Sequence, residues 1–357
     1  MITANNPIEI EIERIKESKI SGVDFNNLPF GKVFSDHCFE MEYRDGVWSN
    51  ARIKPFGKIE ISPAASALHY GQSIFEGMKA YRRENGELVM FRPEANFNRM
   101  NLSAERMCMP HLNKELFFEG LKQLVQIDQD WIPSGEKSSL YIRPLMFATD
   151  DFIGVRPSDT YKFIIFTCPV SGYYSNPVKV RIETVYSRAC EGGVGRAKAA
   201  GNYAAALFPA RRAQKDGYDQ LVWTDAKEHK FIEESGTMNI MFVIDNVLYT
   251  PSLSGSILPG ITRDSVLRLA RDWGWEVEET NVAVDFVINA LKRGELQEAF
   301  GVGTAATIAH IDIIGYNGTD YKIPPIENRE FSNKVSSWLH DLRMGKIEDE
   351  YHWMKII

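Results

Sequence analysis

The stretch Gly192–Tyr203 places one lysine, Lys198, among glycine and alanine residues. Small residues allow another planar group to approach the backbone closely, and glycine also adopts positive φ angles. A lysine amine that takes part in covalent chemistry needs a confined, partly desolvated setting that a carbonyl carbon can reach. A simpler interpretation is a glycine-rich turn that leads into a helix, with Lys198 as a solvated surface residue. The stretch alone leaves both interpretations open.

Charge and composition exclude several classes of protein. The net charge of −7 argues against a nucleic-acid-binding surface. The longest apolar runs, such as residues 163–166, are far too short to span a bilayer. The first residues lack the pattern of a secretory signal, and the cysteines and histidines are scattered rather than grouped as metal ligands. We therefore expect a cytoplasmic protein with no nucleic-acid partner, no membrane partner and no metal site.

A chain of 357 residues is long for one hydrophobic core, so we expect two domains. Strands and helices mix without an internal repeat, which is typical of an α+β fold. Turn-forming residues in 169–177 indicate an interdomain linker. We predict a smaller N-terminal domain over 1–170, a linker over 171–182 and a C-terminal domain over 183–357 that carries Lys198.

Helical spacing of apolar residues predicts helices over Pro93–Met107 and Asn113–Ile127 in the first domain. A further helix over Tyr203–Lys215 follows the lysine stretch. Pro209 is predicted to kink this helix or to end its first part, because proline lacks the backbone N–H and its ring clashes with the preceding turn.

Three other places have chemistry that suits a partner for Lys198. Pro259–Thr262 precedes a predicted helix, and N–H groups at a helix start bind phosphate. Gly301–Ala306 is a tight glycine turn that includes a hydroxyl. Glu233 and Glu234 end a predicted strand, where one of them points inward. Together with a lysine, these groups fit pyridoxal phosphate chemistry, in which the cofactor acts as an electron sink.

The Gly301 turn also fits the Gly-x-Gly-x-x-Ala form of a dinucleotide fingerprint, with Asp320 near the expected distance. A helix of about twelve residues must follow such a turn, and residues 315–318 interrupt the run with two glycines. An NAD-dependent dehydrogenase is therefore the disfavoured alternative.

Seven motifs then occur in the order that is typical of one family. They are Leu68-His-Tyr-Gly-x-x-x-Phe-Glu-Gly-Met-Lys79, Phe97-Asn-Arg99-Met, Tyr141-Ile-Arg143-Pro144, Lys198-x-x-Gly-Asn-Tyr203, Glu234-x-Gly-Thr-Met-Asn239, Leu258-Pro-Gly-Ile-Thr-Arg263 and Gly303-Thr-Ala-Ala306. From about Phe34 to Ile313 the chain resembles the branched-chain amino acid aminotransferases, which are fold-type IV pyridoxal-phosphate enzymes.

The resemblance implies an N-terminal α/β domain, a C-terminal pseudo-barrel domain and a D-amino acid aminotransferase-like architecture. It implies reversible amino transfer between leucine, isoleucine or valine and 2-oxoglutarate. A D-amino acid transaminase and an aminodeoxychorismate lyase share this fold and stay open as alternatives. A non-catalytic interaction protein is disfavoured, because every expected catalytic position is filled.

The resemblance also assigns roles around the cofactor. It implies that Lys198 is the Schiff-base lysine and proton carrier, that Glu234 pairs with the pyridine nitrogen and that Tyr203 contacts the phenolic oxygen. Glu233 is then the outward, solvated neighbour. The implied phosphate ligands are Arg99, the amides of Ile261 and Thr262, and Thr304.

Substrate contacts are implied at eight positions: Tyr70, Phe75, Tyr141, Ile153, Val155, Tyr173, Thr237 and Ala305. Thr237 and Ala305 match contacts to the substrate carboxylate. Tyr70, Ile153 and Val155 match residues that a second subunit contributes, so we expect a homodimer or a higher oligomer. Arg143, two residues from Tyr141 on one strand face, is our hypothesis for the donor to the distal carboxylate of glutamate.

Overall fold

The computed structural model describes residues 9–135, 138–171 and 176–357. These residues cluster into two compact units. The first unit combines the described residues up to 171 with Leu342–Ile357, and the second unit comprises 176–341. The predicted division instead kept residues 342–357 with the C-terminal domain.

The chain begins with the elements β1 (Glu11–Ile12), β2 (His37–Arg44), β3 (Val47–Pro55), α1 (Ser66–Tyr70), β4 (Ser73–Phe75), β5 (Met78–Arg82), β6 (Leu88–Phe91), α2 (Pro93–Arg106), α3 (Lys114–Ile127), β7 (Ser139–Ala148) and β8 (Tyr161–Val170). It continues with β9 (Val178–Ile182), α4 (Ala200–Lys215), β10 (Gln220–Thr224), β11 (Ile232–Ser235), β12 (Met238–Ile244), β13 (Val247–Pro251), α5 (Ile261–Asp272), β14 (Glu276–Thr280), α6 (Val284–Arg293), β15 (Leu296–Gly303), β16 (Thr307–Tyr316), β17 (Thr319–Lys322), α7 (Glu330–Met344) and β18 (Met354–Ile356).

Within the described residues, nine strands form the sheet of the first unit, in the order β1-β3-β2-β8-β7-β5-β6-β18 with β4 beside β7. Helix α3 packs on this sheet through Gly120, where a Cβ would lie 2.6 Å from the ring of Phe39. The rings of Phe97 on α2 and Phe117 on α3 lie 5.2 Å apart and join the two helices. Both helices were predicted from the spacing of their apolar residues. These residues form a stripe along each helix, and the stripe faces the sheet.

The sheet of the second unit closes on itself. Over the described ranges, six strands form a ring in the order β11-β10-β9-β16-β15-β12, and the pairing of β11 with β12 completes it. Ile240 and Phe242 of β12 and Val180 of β9 are fully buried in its core. The predicted α+β class with a C-terminal pseudo-barrel is therefore confirmed.

Three details differ from the expectations. Strand β9 lies inside the range predicted as a linker, because it pairs with β10 and β16 as part of the barrel. The C-terminal strand β18 pairs with β6, which places the chain end in the first unit. Helix α4 continues through Pro209, since burial of Pro209 and Ala213 on the face that packs on β10 offsets the lost hydrogen bond.

Of the helices in the described ranges, none has the length and apolar character needed to cross a bilayer.

Candidate active site

Lys198 lies directly before α4, and its Nζ donates a hydrogen bond to Tyr203 Oη at 2.9 Å. Both side chains are half-buried. The start of α4 turns the chain so that residues five positions apart meet. The structure thus brings together two residues that the sequence assigned to one site, and the hydrogen bond fixes the direction of the amine.

The loop that carries Lys198 is held in place from two sides. Asn202, buried in α4, donates to the carbonyl oxygens of Val194 at 2.8 Å and Ala197 at 2.9 Å. Gly195 rests against Ser256, where a Cβ would lie 2.6 Å from the Ser256 Cα. Only glycine fits this approach. These contacts hold the loop that carries Lys198 in place.

Glu234 lies on β11 with its carboxylate buried. Its Oε1 accepts from the amide of Leu258 at 2.8 Å, and its Oε2 forms an ion pair with Arg188 Nε at 3.0 Å. The sequence assigned Glu234 to the site but gave no role to Arg188. A contact between segments so far apart in the chain has no local signal, so sequence reasoning missed it.

Glu233 is buried, which corrects the prediction of an outward, solvated neighbour. Its carboxylate accepts a hydrogen bond from Ser256 Oγ, and burial raises its pKa above the ordinary value. Glu233 is buried because the segment that contains Ser256 covers this face of β11. Alternation along a strand predicted opposite directions for the two glutamates, but it could not show that Glu233 is covered.

Two turns leave the barrel at one edge. Glu234 pairs with Asn239 across β11 and β12, and Asn239 pairs with Val302 across β12 and β15. The turn after β11 carries Thr237, and the turn after β15 carries residues 304–306. These registers place both turns, which carry the predicted contacts Thr237, Thr304 and Ala305, at the same edge of the barrel.

Helix α5 begins at Ile261, with Gly260 in extended conformation as its N-cap. A Cβ at Gly260 would lie 3.1 Å from Asn239 Cγ and would overlap Oδ1 of the same side chain. Asn239 in turn donates to the carbonyl oxygen of Leu258 at 2.9 Å. The start of α5, with Ile261 and Thr262, is thereby fixed beside β12, and N–H groups at a helix start favour an anion.

In the first unit, Arg99 of α2 is buried against Glu76. The pair is bidentate, with 2.7 Å from Arg99 Nε to Glu76 Oε1 and 2.7 Å from Nη2 to Oε2. Asn96 donates to the same carboxylate at 2.8 Å. A buried guanidinium needs such a partner, and the pair fixes the direction of Arg99. Glu76 was not among the predicted site residues.

Tyr141 and Arg143 extend from the same face of β7. Arg143 Nη2 donates to Tyr141 Oη at 3.0 Å. The Arg143 guanidinium also lies over the ring of Phe75, 4.6 Å from its centroid. These three predicted substrate contacts form one cluster, in which a cation lies between two aromatic rings.

The residues assigned to a second subunit are exposed in this chain. Tyr70 is 41% exposed, Ile153 is 69% exposed and Val155 is 89% exposed. Tyr173 lies outside the described residues.

Comparison with known proteins identifies the family. A family model described as amino-transferase class IV matches residues 73–314, which is more than half of the chain. The chain belongs to this family. It is 46% identical over 343 residues to a probable branched-chain-amino-acid aminotransferase of Staphylococcus epidermidis, covering 95% of this chain and 96% of the relative. Branched-chain-amino-acid aminotransferase 2 of Bacillus subtilis is 45% identical over 350 residues, covering 97% and 96%.

Among solved structures, the branched-chain amino acid aminotransferase of Escherichia coli is similar with a TM-score of 0.73 and 26% identity. The match covers 90% of this chain and 98% of the other. A class IV aminotransferase was predicted from the seven motifs, so the family and the type of enzyme are confirmed. The dinucleotide alternative is wrong, because Gly301 and Gly303 lie within β15 and strand β16 follows the turn.

Proposed function

We propose that this class IV aminotransferase exchanges amino groups between leucine, isoleucine or valine and 2-oxoglutarate, with pyridoxal phosphate as its cofactor. The relatives that share 46% and 45% of its sequence are named branched-chain-amino-acid aminotransferases. The observation that carries the proposal is the 2.9 Å hydrogen bond from Lys198 Nζ to Tyr203 Oη, in the same unit as the buried carboxylate of Glu234.

The donor set of the second unit fits pyridoxal phosphate. Glu234 supplies a buried carboxylate for a protonated ring nitrogen, and the start of α5 at Ile261 and Thr262 supplies N–H donors for a phosphate. Thr304 adds a hydroxyl. Arg99, in the first unit, stays a proposed phosphate ligand from the sequence alone. When bound, the cofactor acts as an electron sink for the substrate α-carbon.

Lys198 is the proposed base. Its Nζ accepts the proton from the α-carbon of the amino acid and returns a proton later in the half-reaction. Tyr203 holds this amine in one direction through the 2.9 Å hydrogen bond.

Substrate selection requires that a branched apolar side chain and a glutamate side chain are both accepted. The rings of Phe75 and Tyr141 suit the apolar side chain, whose burial stabilises by about 1.5–3 kcal/mol. The Arg143 guanidinium, 4.6 Å from the Phe75 ring centroid, suits the distal carboxylate of glutamate. Thr237 and Ala305 are the proposed contacts for the carboxylate shared by both substrates.

A homodimer is the proposed minimum assembly. The exposure of Tyr70, Ile153 and Val155 supports a role of these residues at a second copy's substrate site. Tyr173 stays a proposed substrate contact from the sequence alone. The cytoplasmic location also stays a proposal from the sequence.

The decisive experiment combines cofactor binding with substrate tests. The purified protein is expected to show a visible absorbance band and to transaminate leucine with 2-oxoglutarate. Borohydride treatment and peptide mapping are expected to leave the cofactor mass on the peptide that contains Lys198, and Lys198→Ala is expected to abolish both results. A protein that takes up no added pyridoxal phosphate contradicts the proposal.

The same assay separates the two rivals that share the fold. Activity with D-alanine and none with leucine indicates a D-amino acid transaminase. Release of pyruvate from aminodeoxychorismate, without amino transfer to 2-oxoglutarate, indicates the lyase.

A further inference from the structure

Arg188 is a buried arginine in the segment between β9 and α4. Its Nε forms the 3.0 Å ion pair with Glu234 Oε2, and its Nη2 donates to the carbonyl oxygen of Ser256. One side chain therefore joins the carboxylate on β11 to the segment on which the lysine-bearing loop rests. Gly195 of that loop packs directly against Ser256, and the amide of Arg196 donates to the Gly255 carbonyl oxygen at 3.0 Å.

The carboxylate of Glu234 is held at both oxygens. Arg188 binds Oε2, and the Leu258 amide donates to Oε1 at 2.8 Å. A carboxylate with two such partners has one orientation rather than several. Arg188 presents a positive charge to this carboxylate, and Leu258 presents an N–H donor.

The second acid of β11 does not compete for this cation. Glu233 is bound to Ser256 Oγ rather than to Arg188, and burial raises the pKa of Glu233. The ion pair of Arg188 is therefore with Glu234 rather than with Glu233. Loss of Arg188 removes this cation from the buried carboxylate of Glu234.

We infer that Arg188 is a positioning residue, which fixes the charged carboxylate of Glu234 and couples it to the loop that carries Lys198. The inference rests on the proposed function, since it takes Glu234 as the partner of the cofactor ring nitrogen. Arg188 acts through Glu234 and through Ser256.

Two variants separate the charge of Arg188 from its geometry. Arg188→Gln removes the cation, which raises the pKa of nearby groups. The pH midpoint of the visible band of the holoenzyme is therefore expected to rise by about one unit. Arg188→Lys keeps the charge but cannot bond Glu234 and Ser256 together, so we expect a smaller rise and faster loss of cofactor on dialysis.

Arg329→Lys is the matched control. Arg329 is a buried arginine of the same unit, and its Nε donates to the Pro324 carbonyl oxygen at 2.9 Å. This variant is expected to lower the melting temperature while the pH midpoint and the rate of cofactor loss stay unchanged. If the loss of any buried guanidinium caused these effects, Arg188→Lys and Arg329→Lys would show the same change in pH midpoint and in the rate of cofactor loss.

A double variant tests whether Arg188 acts through the carboxylate of Glu234. In Glu234→Gln the carboxylate charge is gone, so adding Arg188→Gln is expected to shift the pH midpoint by much less than it does alone. Equal shifts in both backgrounds, or an unchanged midpoint in Arg188→Gln and Arg188→Lys, overturn the inference. If Arg188→Gln does not fold, Arg188→Lys carries the test alone. An unaltered chain that binds no pyridoxal phosphate defeats the proposed function instead.

Discussion

The phenol of Tyr141 occupies the space that a side chain at Gly77 would need. A Cβ at Gly77 would lie 2.9 Å from Tyr141 Cζ and would overlap the hydroxyl oxygen. The glycine of the Phe-Glu-Gly motif is thereby explained: it lets β7 present Tyr141, which accepts the hydrogen bond from Arg143. The need for glycine at position 77 is therefore connected to the proposed cluster of substrate contacts, Phe75, Tyr141 and Arg143.

Gly77→Ala is therefore expected to displace Tyr141 and to destabilise the protein by about 1–3 kcal/mol. The specificity constant for leucine is expected to fall as well, because the displaced Tyr141 ring is a proposed contact for the apolar side chain of leucine. Urea unfolding and steady-state kinetics measure the two effects. Gly57→Ala is the control, since no atom lies within 4 Å of a Cβ at Gly57. If Gly77→Ala is as stable as Gly57→Ala, Tyr141 moves aside without a loss in the free energy of unfolding, which contradicts the prediction.

Arg143→Met tests the hypothesis of dual substrate recognition. Methionine keeps an apolar stem beside Phe75 but removes the charged donor. A hydrogen bond to a charged group contributes about 1.5–3 kcal/mol, so the half-reaction with 2-oxoglutarate is expected to slow about tenfold or more. The half-reaction with leucine is expected to change less than about threefold on the same energy scale. Equal losses in the two single-turnover half-reactions would sink the hypothesis.

His310 on β16 makes stability depend on pH. Burial and the positive charge of Arg329 lower the pKa of His310 to about 4 from its ordinary value of 6.5. As pH falls below 6.5 the unfolded chain takes up a proton that the folded chain does not bind, so stability is lost between pH 6.5 and about 4.

His310→Gln is expected to flatten this dependence. The free energy of unfolding, measured in urea, should then fall less between pH 7 and pH 5 than it does in the unaltered protein. His111→Gln, at an exposed histidine, serves as the control and is expected to keep the original slope. A slope that is unchanged in His310→Gln would assign the pH dependence to other groups.

Local signals in the sequence predicted the helices well. The predicted helix Pro93–Met107 is α2, which ends at Arg106, because proline at the start and the apolar period are both properties of neighbouring residues. Pro209 shows the limit of such signals. The residue type predicted a kink or an end of the helix there, yet α4 continues through Pro209, which is buried.

Contacts between segments far apart in the chain could not be predicted. The ion pair of Arg188 with Glu234 and the hydrogen bond of Glu233 with Ser256 join residues that meet only once the strands of the barrel have paired. Alternation predicts which way each glutamate points, but it carries no information about what covers the outer face. By contrast, Lys198 and Tyr203 meet within one helix start, so their contact follows from local geometry.

Gly260→Ala probes the start of α5. The added Cβ would overlap Asn239 Oδ1, so Asn239 must move or the helix start must shift. Either change displaces the N–H groups of Ile261 and Thr262, and the dissociation constant for pyridoxal phosphate is expected to rise about tenfold or more, which corresponds to about 1.4 kcal/mol. Equilibrium dialysis measures it. Gly201→Ala, with open space around its Cβ, is expected to retain the original affinity. An unchanged constant in Gly260→Ala would place the phosphate elsewhere.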